Sequence, residues 1–104
     1  MALTIAKAAN GDDSTGRYRH RYRNITGDNA PPAGGYSLTG LQVGARNGSI
    51  IGAVKIGGNA LASSYGVTWD TVNDKLIFTT GSGSVAPGTD LSGVTVLVDV
   101  ITTA

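Results

Sequence analysis

Residues that favour helices are scarce in this chain, and that scarcity constrains its fold more than any motif does. Glutamate is absent, and glutamine and methionine occur once each. Val, Ile and Thr together make up 28 of the 104 residues, and glycine contributes another 16. β-Branched side chains lose rotamer freedom on a helix but pack well on a pleated surface, while glycine punctuates strands with turns. Short strands separated by Gly, Asn, Asp and Ser clusters imply an all-β sandwich of the jelly-roll or immunoglobulin-like kind, with about seven strands. One domain is expected, because a chain of 10.5 kDa has the material for a single modest core.

Other properties exclude whole classes. Eight Lys and Arg against seven Asp give a formal charge of +1, too little for a polycation that coats nucleic acid. There is no cysteine, so neither a disulfide framework nor a thiolate metal site is available. Apolar runs are too short to span a membrane, and the Met1-Ala2-Leu3-Thr4 opening lacks the basic and apolar regions of a signal peptide.

Along the chain, residues 1–14 read as an N-terminal arm or a first short strand, and residues 15–104 as the sandwich. Leu3 and Ile5 stand at strand spacing, yet few side chains could anchor residues 1–9 alone, so these are expected to order only against a partner. The polar segment 10–16 reads as a turn, and Pro31-Pro32 followed by Gly34-Gly35 as a loop. Residues 37–44 read as one helical turn, capped by Ser37 and stopped at Gly44. Strands are expected over 49–56, over 65–69 and 75–80 as a hairpin, and over 94–101. Trp69, Leu76, Phe78, Val96 and Val98 form the expected core.

The most unusual stretch is Arg17-Tyr18-Arg19-His20-Arg21-Tyr22-Arg23. Period two on a strand puts Arg17, Arg19, Arg21 and Arg23 on one face and Tyr18, His20 and Tyr22 on the other, with Ile25 extending the arginine face. Three readings are open. The stripe is a solvated face laced to Asp side chains of a neighbouring strand, a face that docks an acidic partner, or a nucleic-acid contact. The last suffers because alternation places the arginines and the tyrosines on opposite faces.

No catalytic constellation is visible. His20 is the single histidine, and no Gly-x-Ser-x-Gly elbow accompanies it. Asp12 and Asp13 are adjacent carboxylates in a glycine-bearing segment, expected to cap or solvate a turn. Without cysteine, and with one histidine, no single-chain zinc site can be built, so neither metal nor cofactor is expected. Gly81-Ser82-Gly83 lacks the lysine of a phosphate loop, and Asn24-Ile25-Thr26 and Asn47-Gly48-Ser49 are chance matches to a glycosylation pattern.

Three segments carry a family resemblance. Residues 34–44, Gly-Gly-Tyr-Ser-Leu-Thr-Gly-Leu-Gln-Val-Gly, resemble a GGY-x-LT-x-x-x-x-G segment of small tailed-phage head decoration, or capsid cement, proteins. The stretch from Tyr65-Gly66-Val67-Thr68-Trp69-Asp70 to Lys75-Leu76 is similar to the hairpin of that group, and Val85 to Val96 to its closing segment, with Ser84 where the group has Glu. The resemblance spans residues 15–104, and the basic stretch stands in place of the group's Val-rich first strand. It implies a non-enzymatic virion protein, made in the host cytoplasm, that sits on the outer capsid surface and stabilises the head by bridging capsomers. The implied partners are the major capsid protein and further copies of the chain, as a trimer or a dimer, with no nucleic acid and no membrane. The arginine stripe would then be the docking face. A rival reading is a carbohydrate-binding or host-adhesion module of the virion, for which the candidate aromatics are Trp69 and Tyr36.

Overall fold

A computed structural model describes residues 3–15, 18–29, 31–32, 34–45, 48–81, 83–86 and 89–103. It is a β-sandwich of two antiparallel sheets. The strands are β1 (Thr4–Thr15), β2 (Tyr18–Thr26), β3 (Tyr36–Ser37), β4 (Ile50–Gly58), β5 (Gly66–Asp70), β6 (Lys75–Thr80), β7 (Gly83–Ser84) and β8 (Thr95–Thr103). The first sheet has the order β1-β2-β8-β4. The second has the order β3-β6-β5, with β7 also paired to β6. Among the described residues there are eight strands, against about seven expected, and β3 and β7 are two-residue pairings too short to show a period.

Strand β8 organises the first sheet. Its burial alternates without a break, and Val96, Val98, Val100 and Thr102 are all sealed from solvent. Leu97, Asp99 and Ile101 point the other way and are half-buried. The valines face Leu76, Phe78 and Tyr36 of the second sheet, and the Tyr36 and Phe78 rings meet edge-on with centroids 5.8 Å apart. Such a pair adds about 0.5–1.5 kcal/mol to the area that both rings bury. Leu38, Val43, Leu91 and Val94 close the same core from the loops.

Three expectations change. Residues 10–15 are not a turn but the second half of β1, which pairs with β2 on either side of an irregularity between Lys7 and Asp12. Polar and glycine residues are tolerated there because β1 is an edge strand with one flank in solvent. Residues 4–9 likewise lie in β1, so the strand alternative describes them; residues 1 and 2 lie outside the described set. The helical turn is shorter than expected, a 3-10 turn over Leu41–Val43 in which Thr39 and Gln42 bond each other, while Ser37 belongs to β3. A second 3-10 turn, Ala60–Ser64, begins at Asn59, whose side chain accepts from the Ala62 amide. Of the expected core, Leu76, Phe78, Val96 and Val98 are buried, but Trp69 is half-buried because β5 is the edge of its sheet. No helix among the described residues is long and apolar enough to cross a membrane.

Two predictions follow from this packing. Phe78→Ala lowers stability by about 3–5 kcal/mol, as for large buried aromatics elsewhere. Trp69→Ala costs no more than about 2 kcal/mol, since the ring is partly solvated and its Nε1, buried without a partner, no longer needs one. Urea unfolding of the two variants measures the difference. Burial, together with the Asp28 carboxylate that accepts from its hydroxyl at 2.8 Å, pushes the Tyr36 phenol up from 10.0 to about 12. The folded state therefore binds that proton more tightly than the unfolded chain. Its contribution to stability is complete below pH 10 and is lost as pH rises towards about 12. In Tyr36→Phe this alkaline slope disappears, which unfolding curves at successive pH values will show.

Candidate functional site

The alternation on β2 holds as read. Arg19, Arg21, Arg23 and Ile25 share one face of the strand, and Tyr18, His20 and Tyr22 the other. The face itself is the inner one. Arg21 stands opposite Val100, Arg23 opposite Val98 and Ile25 opposite Val96, all residues that point into the sandwich. Arg21 and Arg23 are 7% and 6% exposed, so neither belongs to a solvated or docking stripe in the isolated chain. Arg19, opposite Thr102, is exposed, and Arg17 lies outside the described residues.

Strand β1 provides the counter-charge. Past its irregularity, Asp12 comes opposite Arg21, while Lys7 stands opposite Arg23. Residues 8–11 therefore face the single residue Tyr22, and this bulge returns Asp12 to the inner face. Arg23 Nη1 donates to Asp12 Oδ1 at 2.6 Å, and Arg21 Nη1 donates to Oδ2 at 3.2 Å. Other N–H groups of the two side chains also have partners. Arg23 Nη2 donates to the Val43 carbonyl at 2.7 Å, its Nη1 also to the Tyr22 carbonyl, and Arg21 Nε to the Thr102 hydroxyl at 3.2 Å. Gly44, at φ +94°, lets the chain turn directly over the guanidinium groups. A Cβ there would stand 3.1 Å from Arg23 Nη2 and 3.3 Å from Arg21 Nη1. Thus Asp12 does not solvate a turn; it joins two buried arginines. The hydrogen bond from Arg23, reinforced by the charges of Arg23, Lys7 and Arg21, holds its carboxyl below the ordinary value of 3.8.

The outer face of the first sheet has a different character. His20 Nδ1 lies 2.8 Å from Asp99 Oδ2 across β2 and β8, with the two side chains 30% and 16% exposed. This matches two members of a hydrolytic triad, but among the described residues no hydroxyl bonds the other ring nitrogen. Around the pair the surface is apolar. Tyr18 is 43% exposed, and Ile51, Val54 and Ile56 of edge strand β4 are 41%, 52% and 50% exposed. Val54 stands directly opposite Asp99, and Leu97 and Ile101 of β8 lie on the same face. Sequence reasoning found β4 but missed this row. Irregularities between Ile50 and Gly52 and between Lys55 and Gly57 break its period, so simple alternation does not mark the outward residues.

The remaining candidates separate. Tyr36 is 2% exposed and cannot serve as a surface aromatic, whereas Trp69 lines a cavity. Among the described residues no group of three His, Cys, Asp or Glu could hold a metal ion. No protein-family model, curated protein or solved structure matches the chain.

The ion cluster carries its own prediction. Removing one partner of a buried pair strands the other charge and costs about 3–5 kcal/mol, more than the intact pair contributes. Asp12→Ala should lose about 3 kcal/mol at neutral pH, near the lower end because Asp12 is itself 27% exposed. Because the carboxyl is depressed in the folded state, its contribution is present above 3.8 and fades as pH falls through the lowered value. The stability gap between wild type and Asp12→Ala, followed by urea unfolding from pH 7 downwards, should narrow in that acid range.

Proposed function

We propose that this chain is a non-enzymatic structural protein of a tailed-phage head, which decorates the outside of the assembled shell and cements neighbouring capsomers. The observation that carries this reading is the apolar outer face of the first sheet, where Ile51, Val54 and Ile56 stand exposed on β4 and Tyr18 on β2. Contiguous exposed apolar surface marks an interaction site, and a face without a concave catalytic centre suits adhesion. The sandwich architecture and the resemblance of residues 34–44, 65–76 and 85–96 to decoration proteins agree with that use.

The proposed partner is the major capsid protein. A protein that binds the assembled lattice, and not free subunits, stabilises it by RT ln(1 + [L]/Kd) per site. Contact with more than one capsomer, or association of the chain as a trimer or dimer, multiplies this through effective concentration. The docking role shifts from the arginine stripe to the outer face. Arg19 is the member of the stripe that is described and exposed, and it adds charge at the margin.

The test is co-sedimentation with shells assembled without this protein. Wild type should pellet with them. Val54→Asp should attach at least tenfold more weakly, about 1.4 kcal/mol, while remaining folded by circular dichroism; its carboxylate would stand opposite Asp99, so the melting temperature should fall only slightly, by the equivalent of about 0.2–1 kcal/mol. Arg19→Glu should have a smaller effect that shrinks further as salt is raised. Arg21 is unsuitable for such a test, since a carboxylate there would be buried against Asp12 and unfold the chain. Equal occupancy of wild type and Val54→Asp on the same shells would remove the outer face from the interface.

A further inference from the structure

Apart from the outer sheet face, the molecule has a cavity of about 260 Å³ between residues 38–40, residues 48–50 and the β5–β6 hairpin. Its apolar wall is Leu38, Ile50 and the half-buried Trp69 ring. Its polar lining is Thr39, Ser49 and Asp74, together with the backbones of Gly40 and Gly48. Gly40 is required there because a Cβ would collide with the Gly48 carbonyl oxygen, so the two segments touch and frame the opening.

Several groups at this cavity are unused. Among the described residues the Asp74 carboxylate and the Ser49 hydroxyl have no hydrogen-bond partner. Trp69 Nε1 also has no acceptor among the described residues, although it is sealed from solvent and does not itself open on the cavity. Buried donors in native proteins are rarely left so, and each costs about 1–3 kcal/mol. Asp74 has φ 55°, and its carbonyl accepts from the Leu38 amide at 3.3 Å. The backbone of the residue is thus tied to the opposite wall of the cavity.

We propose that this cavity binds a single neutral sugar ring, stacked on Trp69 and held by the Asp74 carboxylate and the Ser49 hydroxyl. A pyranose presents an apolar C–H face that suits an indole and equatorial hydroxyls that donate to a carboxylate. Anions are disfavoured because, among the described residues, the lining has a carboxylate and no Lys or Arg. An ammonium ligand calls for a cage of several aromatic faces, and here there is one. The volume lies just under the roughly 300 Å³ at which pockets for drug-sized ligands begin, which accommodates one ring and not a chain of them. The inference is independent of attachment to a shell, since none of its residues belongs to the outer face of the first sheet.

Trp69 is the chain's one tryptophan, so its fluorescence reports on this cavity without a label. The probes are the methyl glycosides of glucose, galactose, mannose and N-acetylglucosamine, with choline as the cationic comparison. At least one glycoside should change the emission saturably, with a Kd on the order of 1 mM, and choline should not. Asp74→Asn keeps a residue that tolerates positive φ, so it should fold like wild type and bind that glycoside at least tenfold more weakly. Circular dichroism checks the fold of the variant. Emission unmoved by all four glycosides overturns the proposal. So does saturation by choline alone, which would make the cavity a cation site, and so does a glycoside affinity that Asp74→Asn leaves unchanged.

Discussion

One carboxylate bridging two guanidinium groups inside a β-sandwich sets the terms for the first sheet. Arg21 and Arg23 both point inward, so the sheet carries two like charges into a space that Val98 and Val100 otherwise make apolar. Desolvating a charge costs several kcal/mol unless hydrogen bonds and a counter-ion offset it. Asp12 supplies the counter-ion, Val43, Tyr22 and Thr102 accept three further N–H groups, and Gly44 leaves room for both heads. The irregularity in β1 and the path of residues 40–45 make sense as parts of this one arrangement. Two arginines on one aspartate still leave an excess positive charge, which Lys7 and the exposed Arg19 extend towards the surface.

How much of this was legible depends on what period two can and cannot tell. It correctly assigns Arg19, Arg21, Arg23 and Ile25 to one face, but alternation alone does not say which face is interior. Ile25 held the answer, because an isoleucine in the same parity set ties the arginines to the core side. Charge suggested the opposite, and Asp12 was too well hidden in a polar, turn-like segment to correct it. The β5–β6 hairpin was readable because Asp70 closes its turn by accepting from Val72 and Asn73. The half-buried state of Trp69 was not readable, since edge position is a property of sheet order and not of local sequence.

The outer face and the cavity differ in the kind of recognition they permit. The first is broad and apolar, with a His20–Asp99 pair that largely satisfies its own polarity, and it favours a large protein surface. The second is small and concave, with acceptors unpaired among the described residues, and it favours a small polar molecule. Strand β4 borders the outer face with two irregularities along its length. Such bulges twist an edge away from flat pairing, so the strand resists uncontrolled strand addition while Val54, between them, stays on the outer face.

Sheet order also governs when the molecule can assemble. Strand β8 lies between β2 and β4, although it follows both in the chain. Until residues 95–103 have been synthesised, β2 and β4 have no common neighbour, and Val96, Val98 and Val100 are not yet present to close the core. The first sheet therefore cannot be completed in step with translation, and its long-range pairings place the chain among slow-folding topologies. During that interval Arg21 and Arg23 lack the β8 side chains that cover them and stay at least partly hydrated. Charged, hydrated residues on a waiting strand oppose premature pairing with other chains, so the cluster that is costly to bury in the finished protein protects the unfinished one.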